Sequence, residues 1–97
     1  MVTVVNLRTH TYTVYGGRAG HGKDGRFGNP FIVGRDGQRG ECVHLFAQWF
    51  HSDAGRPMRE LAERTLKEND VLGCFCKPHA CHCDTIAAHV NKVNNWQ

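Results

Sequence analysis

Four of the five cysteines of this 97-residue chain fall within the stretch CFCKPHACHCD, residues 74–84. Thiolates and imidazoles are ligands that zinc prefers, and a structural zinc site uses four of them. The four positions could be filled by Cys74, Cys76 and Cys81, completed by either His82 or Cys83. We take the set with His82 as the candidate site, so the stretch predicts a metal site with zinc as the expected ion.

The spacing of this cysteine cluster leaves a second interpretation open. Alternate residues of an extended strand lie about 6.5 Å apart, so Cys74 and Cys76 reach one metal only if the strand bends. Reduced cysteines are also common as small apolar core residues. The run C-x-C-x4-C-x-C differs from the spacing of zinc ribbons, and burial in a core without metal is therefore the alternative.

A helix is expected to begin at Cys81, where unpaired backbone N–H groups and the positive end of the helix dipole favour anions. A thiolate or a bound phosphate would suit that position. If the chain is an enzyme, His82 or Asp84 would act there as general acid or base. Asp84 also has a structural explanation, because carboxylates are favoured in the first turn of a helix.

A second unusual stretch is the glycine loop, GGRAGHGKDGRFGNPF, which spans residues 16–31 and carries six glycines. Loops of this length in a compact domain are usually functional or disordered. Residues 17–24 approach a P-loop, but Asp24 stands where a magnesium-binding Ser or Thr belongs, so hydrolysis of nucleoside triphosphates is not expected. Arginines with interleaved aromatic rings can hold phosphates and stack on bases. The candidate ligand-binding residues are Arg18, Asn29, Arg35 and Arg39.

The apolar pattern predicts the elements that position these stretches. Runs of β-branched and aromatic residues predict strands, and apolar residues at helical spacing predict helices. The strands are expected at residues 2–7, 12–15 and 71–76, and the helices from 41, from 57 and over about 81–94, the last one burying Ile86, Ala87, Val90 and Val93. This order indicates one α/β domain over residues 1–97, with a short, mostly parallel sheet flanked by about three helices and a long glycine-rich loop.

The predicted connections place both unusual stretches together. The first and last strands are expected to be adjacent and parallel. The glycine loop and the cysteine cluster each follow a strand, and the loops beyond the carboxyl ends of parallel strands are where α/β proteins bind ligands.

Composition narrows the class of protein. The net charge of +3 permits phosphate-bearing partners, although an ordinary surface explains it equally well. No signal-peptide pattern and no run of about 20 apolar residues occurs, so we expect no membrane partner. An odd number of clustered cysteines favours reduced thiols in a cytoplasm over a secreted disulfide framework.

Five motifs in a fixed order resemble one family. They are VVNLR at residues 4–8, VYGGR at 14–18, GNPF at 28–31, GRDG at 34–37 and CFCKPHACHCD at 74–84. Together they are similar to a small phage and bacterial family known as domain of unknown function 4326. That family's pattern ends in Cys-x-Cys, Pro, then Cys-His-Gly-Asp, and its places are filled here by Cys74, Cys76, Pro78, Cys81, His82 and Asp84. Cys83 stands at the family's glycine, which argues against Cys83 as an essential ligand.

The resemblance implies a compact α/β fold and a phage or prophage origin, hence a host-cell cytoplasm, and it supplies no reaction. The residues and the resemblance together leave two hypotheses for the function. The first is a zinc-binding domain that recognises a nucleotide or nucleic acid between the arginines of the glycine loop and the helix start at Cys81. The second is a phage effector that binds a host protein, with metal or thiols purely structural and with Trp49 and Trp96 as candidate contact residues.

Overall fold

The computed structural model describes all 97 residues and contains three strands and three helices. In chain order they are β1 (Thr3–Asn6), β2 (Val14–Tyr15), α1 (Arg39–Phe50), α2 (Arg56–Thr65), β3 (Val71–Cys74) and α3 (His82–Asn94). A small α/β domain was predicted, and these elements confirm it. The last strand ends at Cys74, two residues earlier than expected, because the chain turns at Phe75.

The sheet has the order β1-β3-β2, and both pairs of neighbours are parallel. The predicted parallel pairing of the first and last strands is therefore confirmed. Gly73 lies in the middle of β3, opposite both Val5 and Tyr15. A β-carbon at residue 73 would come within 2.7 Å of the Tyr12 ring, so glycine lets that ring cover the sheet. All three strands end at one edge, and the segments that follow β2 and β3 meet there.

Three side chains spaced four apart form the buried stripe of α1. Cys42, Phe46 and Phe50 are each at most 2% exposed, and each phenylalanine contributes about 1.5–3 kcal/mol by burial. α3 contacts all of the other helices as well as β1 and β3, which makes it the centre of the core.

The buried residues of α3 include Ile86, Ala87 and Val90, as predicted, and this helix lies beneath the sheet edge that carries the cysteines. Val93 was also expected to be buried, but it is 53% exposed because it lies in the last turn of α3, beyond the part that packs on the core.

The glycine loop is ordered by backbone hydrogen bonds and by one core residue. Gly20 and Lys23 exchange N–H···O bonds of 2.8 and 3.2 Å across a tight turn. Gly22 within that turn has a φ of 78°, a left-handed conformation that glycine adopts without a steric penalty. Phe27 is 1% exposed and anchors the loop in the core.

None of the three helices combines the length and apolar character needed to cross a bilayer.

Candidate metal and ligand site

Three cysteine sulfurs converge at the carboxyl end of β3. The Sγ atoms of Cys74, Cys81 and Cys83, here called the thiol triad, lie within 4.8 Å of one another. All three residues are at most 1% exposed, and none forms a disulfide. A Zn–S bond of about 2.3 Å places the sulfurs of a tetrahedral site about 3.8 Å apart, so a shift of about 1 Å or less would close the triad on an ion. The triad could therefore hold a metal ion.

The elements explain why these three sulfurs meet. Cys74 is the last residue of β3, Cys81 is the N-cap of α3 and Cys83 is its second residue. The Cys81 sulfur turns back over the helix start and accepts a hydrogen bond from the Cys83 backbone N–H at 3.4 Å. Because α3 begins beside the end of β3, both of its thiols face the strand that carries Cys74.

Asp84 holds the loop between β3 and α3 in place. Its Oδ2 accepts a hydrogen bond from the Cys81 backbone N–H at 3.1 Å, and its Oδ1 lies 2.8 Å from the Lys77 Nζ. The hydrogen bond that the Lys77 ammonium donates to Asp84 raises the pKa of Lys77. On the other side of the loop, Asn6 donates from Nδ2 to the Lys77 carbonyl at 2.7 Å. Residues 75–80 are thereby tied to both α3 and β1.

The three thiols influence one another's titration because their sulfurs lie close together. Interaction with Cys81 and Cys83 lowers the pKa of Cys74, whereas interaction with Cys74 raises the pKa values of the other two thiols. Burial opposes any further ionisation. A bound metal would supply the positive charge that lets the buried thiols ionise.

His82 connects the thiol triad to the glycine loop. Its Nε2–H donates to the carbonyl oxygens of Gly16 at 2.9 Å and Phe27 at 2.8 Å. The ring is 7% exposed and packs edge-on against Phe46, with ring centroids 5.1 Å apart. Burial lowers the pKa of His82, so the ring is neutral and its Nδ1 carries a lone pair, 3.7 Å from the Cys81 sulfur.

A pocket of about 370 Å³ opens beside the triad, within the usual size range of ligand pockets. It lies between the glycine loop, the start of α1 and the segment after β3. Its lining includes the basic residues Arg18, His21 and Arg39 and the rings of Tyr15, Phe31 and Phe75. No aspartate or glutamate lines it. This charge balance suits an anion that also has an apolar, flat part.

Arg18 and Asn29 build the wall of this pocket. The two terminal nitrogens of Arg18 donate to the carbonyl oxygens of Asn29 at 2.7 Å and Phe31 at 2.8 Å. Asn29 in turn accepts from the Phe31 N–H through Oδ1 and donates from Nδ2 to the Cys42 carbonyl in α1. A guanidinium has five N–H donors, so three donors of Arg18 are left for a ligand.

The predicted metal ligands divide into two groups. Cys74 and Cys81 belong to the thiol triad, whereas Cys76 and His82 lie outside it and line the pocket. The third member of the triad is Cys83, the residue set aside because the family tends to have glycine there. The signal for Cys83 is its place two residues after the helix N-cap, which aims its side chain at the same strand end.

The predicted ligand-binding residues also divide. Arg18, Asn29 and Arg39 line the pocket, whereas Arg35 pairs with Asp36 at 2.8 Å and lies outside it. Among the two predicted catalytic residues, His82 lines the pocket and Asp84 does not. Sequence reasoning did not identify Phe75 and Tyr15 as pocket residues. To predict that an aromatic side chain such as Phe75 is exposed directly after a strand, one must know where that strand ends.

Comparison with known proteins gives one match. The family model described as domain of unknown function (DUF4326) matches residues 4–92, from β1 to the last turns of α3. No curated protein and no solved structure matches the chain. The matched region contains every residue of the thiol triad and all of the pocket lining. The chain therefore belongs to the DUF4326 family.

Proposed function

We propose that this domain binds a phosphate-bearing ligand of the nucleotide class in the pocket, beside a zinc ion held by the thiol triad. The observation that carries the proposal is a pocket at the carboxyl ends of parallel strands that contains Arg18 and Arg39 and no acidic residue. Parallel α/β sheets bind ligands at this edge.

The phosphate would bind to the two arginines. Neither Arg18 nor Arg39 forms an ion pair with a carboxylate, in contrast to Arg26 and Arg35, which do. Arg18 is also held in position by its two backbone hydrogen bonds, so little side-chain entropy would be lost on binding. Guanidinium groups match phosphate oxygens with paired, charge-assisted hydrogen bonds.

The base would stack on the aromatic side of the pocket. Phe75 is 49% exposed, although burial is the usual state of so large an apolar side chain. The Arg8 guanidinium lies 5.2 Å from its ring centroid and supports it by a cation–π contact. Exposed aromatic rings with arginine neighbours are the platforms on which bases of single nucleotides and single strands stack.

Zinc is the ion that fits the donor set. Three buried thiols offer soft ligands, and zinc sites in proteins are built from such ligands. Calcium and magnesium prefer oxygen ligands and are disfavoured here. Because the triad joins β3 to α3, a bound ion would also stabilise the fold.

The test is thermal denaturation of the zinc-loaded protein with four nucleoside 5′-monophosphates and, separately, the matching nucleosides. A ligand at 100 times its Kd stabilises the folded state by about 2.7 kcal/mol, which raises Tm by several degrees in a domain of this size. We expect a monophosphate to raise Tm and its nucleoside to do so much less.

The matched variants are Arg39→Ala and Arg64→Ala, which remove the same charge. Arg64 lies on α2 and does not line the pocket. Arg39→Ala should abolish most of the Tm increase, whereas Arg64→Ala should keep it. An equal response from both variants would contradict the assignment of the phosphate to this pocket.

A protein-binding effector is the alternative, and one observation favours it. Ile32 and Val33 are 38% and 53% exposed, next to the glycine loop. Trp49 and Trp96, by contrast, pack against the core. A zinc-loaded protein whose Tm responds to none of the nucleotides would favour the effector.

A further inference from the structure

We infer that a metal ion held by the thiol triad has an open fourth coordination position, filled by an exchangeable ligand that enters from the pocket. This inference rests on the proposed metal site and extends it from a structural ion to one that contacts ligand. Structural zinc sites are closed by four protein ligands, whereas sites with three protein ligands bind water or substrate at the fourth position.

The thiol triad offers three donor atoms to a metal ion. The group whose ligand atoms all lie within 4.8 Å of one another consists of Cys74, Cys81 and Cys83, and no fourth Cys, His, Asp or Glu joins it. All three are supplied by rigid points of the fold, namely the end of β3 and the start of α3.

His82 carries the imidazole beside the Cys81 and Cys83 sulfurs. Its Nε2–H already donates to the Gly16 and Phe27 carbonyls. Its Nδ1 lies 3.7 Å from the Cys81 sulfur but is not within 4.8 Å of all three sulfurs. The two hydrogen bonds from Nε2–H hold the ring in a position from which Nδ1 does not join the three sulfurs. His82 is therefore a support of the site and not its fourth ligand.

Two further donors close in sequence are Cys76 and Asp84. Cys76 follows the end of β3, lines the pocket and lies outside the triad, because the chain has turned at Phe75. Asp84 uses one carboxylate oxygen on the Cys81 N–H and the other on Lys77. These two contacts hold Asp84 away from the ion, and the turn after β3 places Cys76 outside the group of converging sulfurs.

A ligand in the pocket could reach an ion in the triad. Cys74 belongs to the triad and also lines the pocket, so the ion and the pocket share a wall. The pocket carries arginines and no carboxylate, which favours an anion over a neutral donor. The fourth ligand is accordingly water when the pocket is empty, and an anionic oxygen or nitrogen donor, such as a phosphate oxygen of the proposed ligand, when it is filled.

The test uses cobalt(II) in place of zinc, because the visible spectrum of cobalt reports its ligands. The reduced full-length protein is loaded with cobalt and titrated separately with azide and inorganic phosphate, alongside Cys76→Ser. We expect saturable changes in the visible bands on titration, and an undiminished sulfur-to-cobalt charge-transfer band in Cys76→Ser.

Bands that neither anion changes would overturn the open position, and a weakened charge-transfer band in Cys76→Ser would identify Cys76 as the fourth ligand. Either result leaves the metal site itself intact. Failure to bind cobalt or zinc at all would overturn the metal part of the proposed function as well, while nucleotide binding by the metal-free protein would still be measurable by Tm.

Discussion

The Gly16 carbonyl accepts a hydrogen bond from the Cys83 thiol at 3.6 Å. A β-carbon at residue 16 would overlap the Cys83 Sγ and would lie 3.2 Å from the Gly73 carbonyl oxygen. Glycine is therefore required at residue 16 by the close approach of the glycine loop to the thiol triad.

Gly16→Ala should destabilise the protein and weaken metal binding. Overpacking in a buried site costs about 1–3 kcal/mol, and here the strain falls on a candidate metal ligand. Urea denaturation and metal analysis measure the two effects. The control is Gly40→Ala in α1, where a new β-carbon meets nothing within 4 Å and should be neutral or stabilising by up to about 1 kcal/mol. Wild-type stability and metal content in Gly16→Ala would contradict this account.

Two phenylalanines near the site should respond in opposite ways to truncation. Phe46 is 0% exposed and supports the His82 ring, so Phe46→Ala should cost about 3–5 kcal/mol in the free energy of unfolding. Phe75→Ala, at a half-exposed residue, should leave stability nearly unchanged but weaken nucleotide binding roughly 5- to 150-fold, since stacking on an aromatic ring contributes about 1–3 kcal/mol. Calorimetric titration measures the affinity. Unchanged affinity in Phe75→Ala would place the base elsewhere.

Substitutions at Asp84 should separate its two contacts. Asp84→Asn keeps an acceptor for the Cys81 N–H and loses the ion pair with Lys77, which is partly exposed and contributes at most about 1 kcal/mol. Asp84→Ala also loses the cap, worth about 0.5–2 kcal/mol. We therefore expect Asp84→Ala to have the lower Tm. Because both variants lack the charge, equal Tm values or the reverse order would show that the contact with the Cys81 N–H adds no stability.

Stability should fall in mild acid because of His51. Burial and, next, the positive charge of nearby His89 lower the pKa of His51 below its ordinary value of 6.5. The two rings lie 5.6 Å apart, and His89 also contacts Glu63. Since the folded pKa is the lower one, the unfolded chain binds more protons as the pH falls below about 6.5, and stability present above that pH is lost.

Between pH 7 and pH 5, His51→Gln should therefore lose less unfolding free energy than the wild type does. The control is His44→Gln, an exposed residue of α1 that stacks on no other ring, and it should follow the wild type. Denaturant unfolding at several pH values measures the slopes. Identical slopes in His51→Gln and the wild type would show that His51 is not the group responsible.

The fold could be predicted from the sequence because its elements have strong local signals. The stripe ending at Phe50, the proline that begins α2 and the β-branched run of β1 each indicate their element without tertiary information. The parallel pairing of β1 with β3 followed from general connection rules. Boundaries were less accurate, as at Phe75, because a short strand ends where its partner ends.

The sequence predicted that the glycine loop and the cysteine cluster lie together, but it did not predict the directions of their side chains. The segments around Cys81 and Arg18 were expected to meet. Arg18 lines the pocket, and Cys81 lies in the thiol triad beside it. Membership of the triad depended on which way each side chain points at a strand end and a helix start, and spacing alone does not give those directions. The role of Arg18 in fixing the Phe31 carbonyl is likewise a tertiary contact with no signature in sequence.

The central place of β3 fixes the order in which this protein can assemble. β1 and β2 each pair only with β3, so the first 70 residues contain no pair of strands that can bond to each other. A ribosome must therefore deliver residues 71–74 before any sheet exists, and β1 must wait for a partner more than 60 residues away. Such non-local pairing slows folding. Cys74, Cys81 and Cys83 emerge together with or after the strand that organises them, so the triad could hold an ion only at the closing step of the fold.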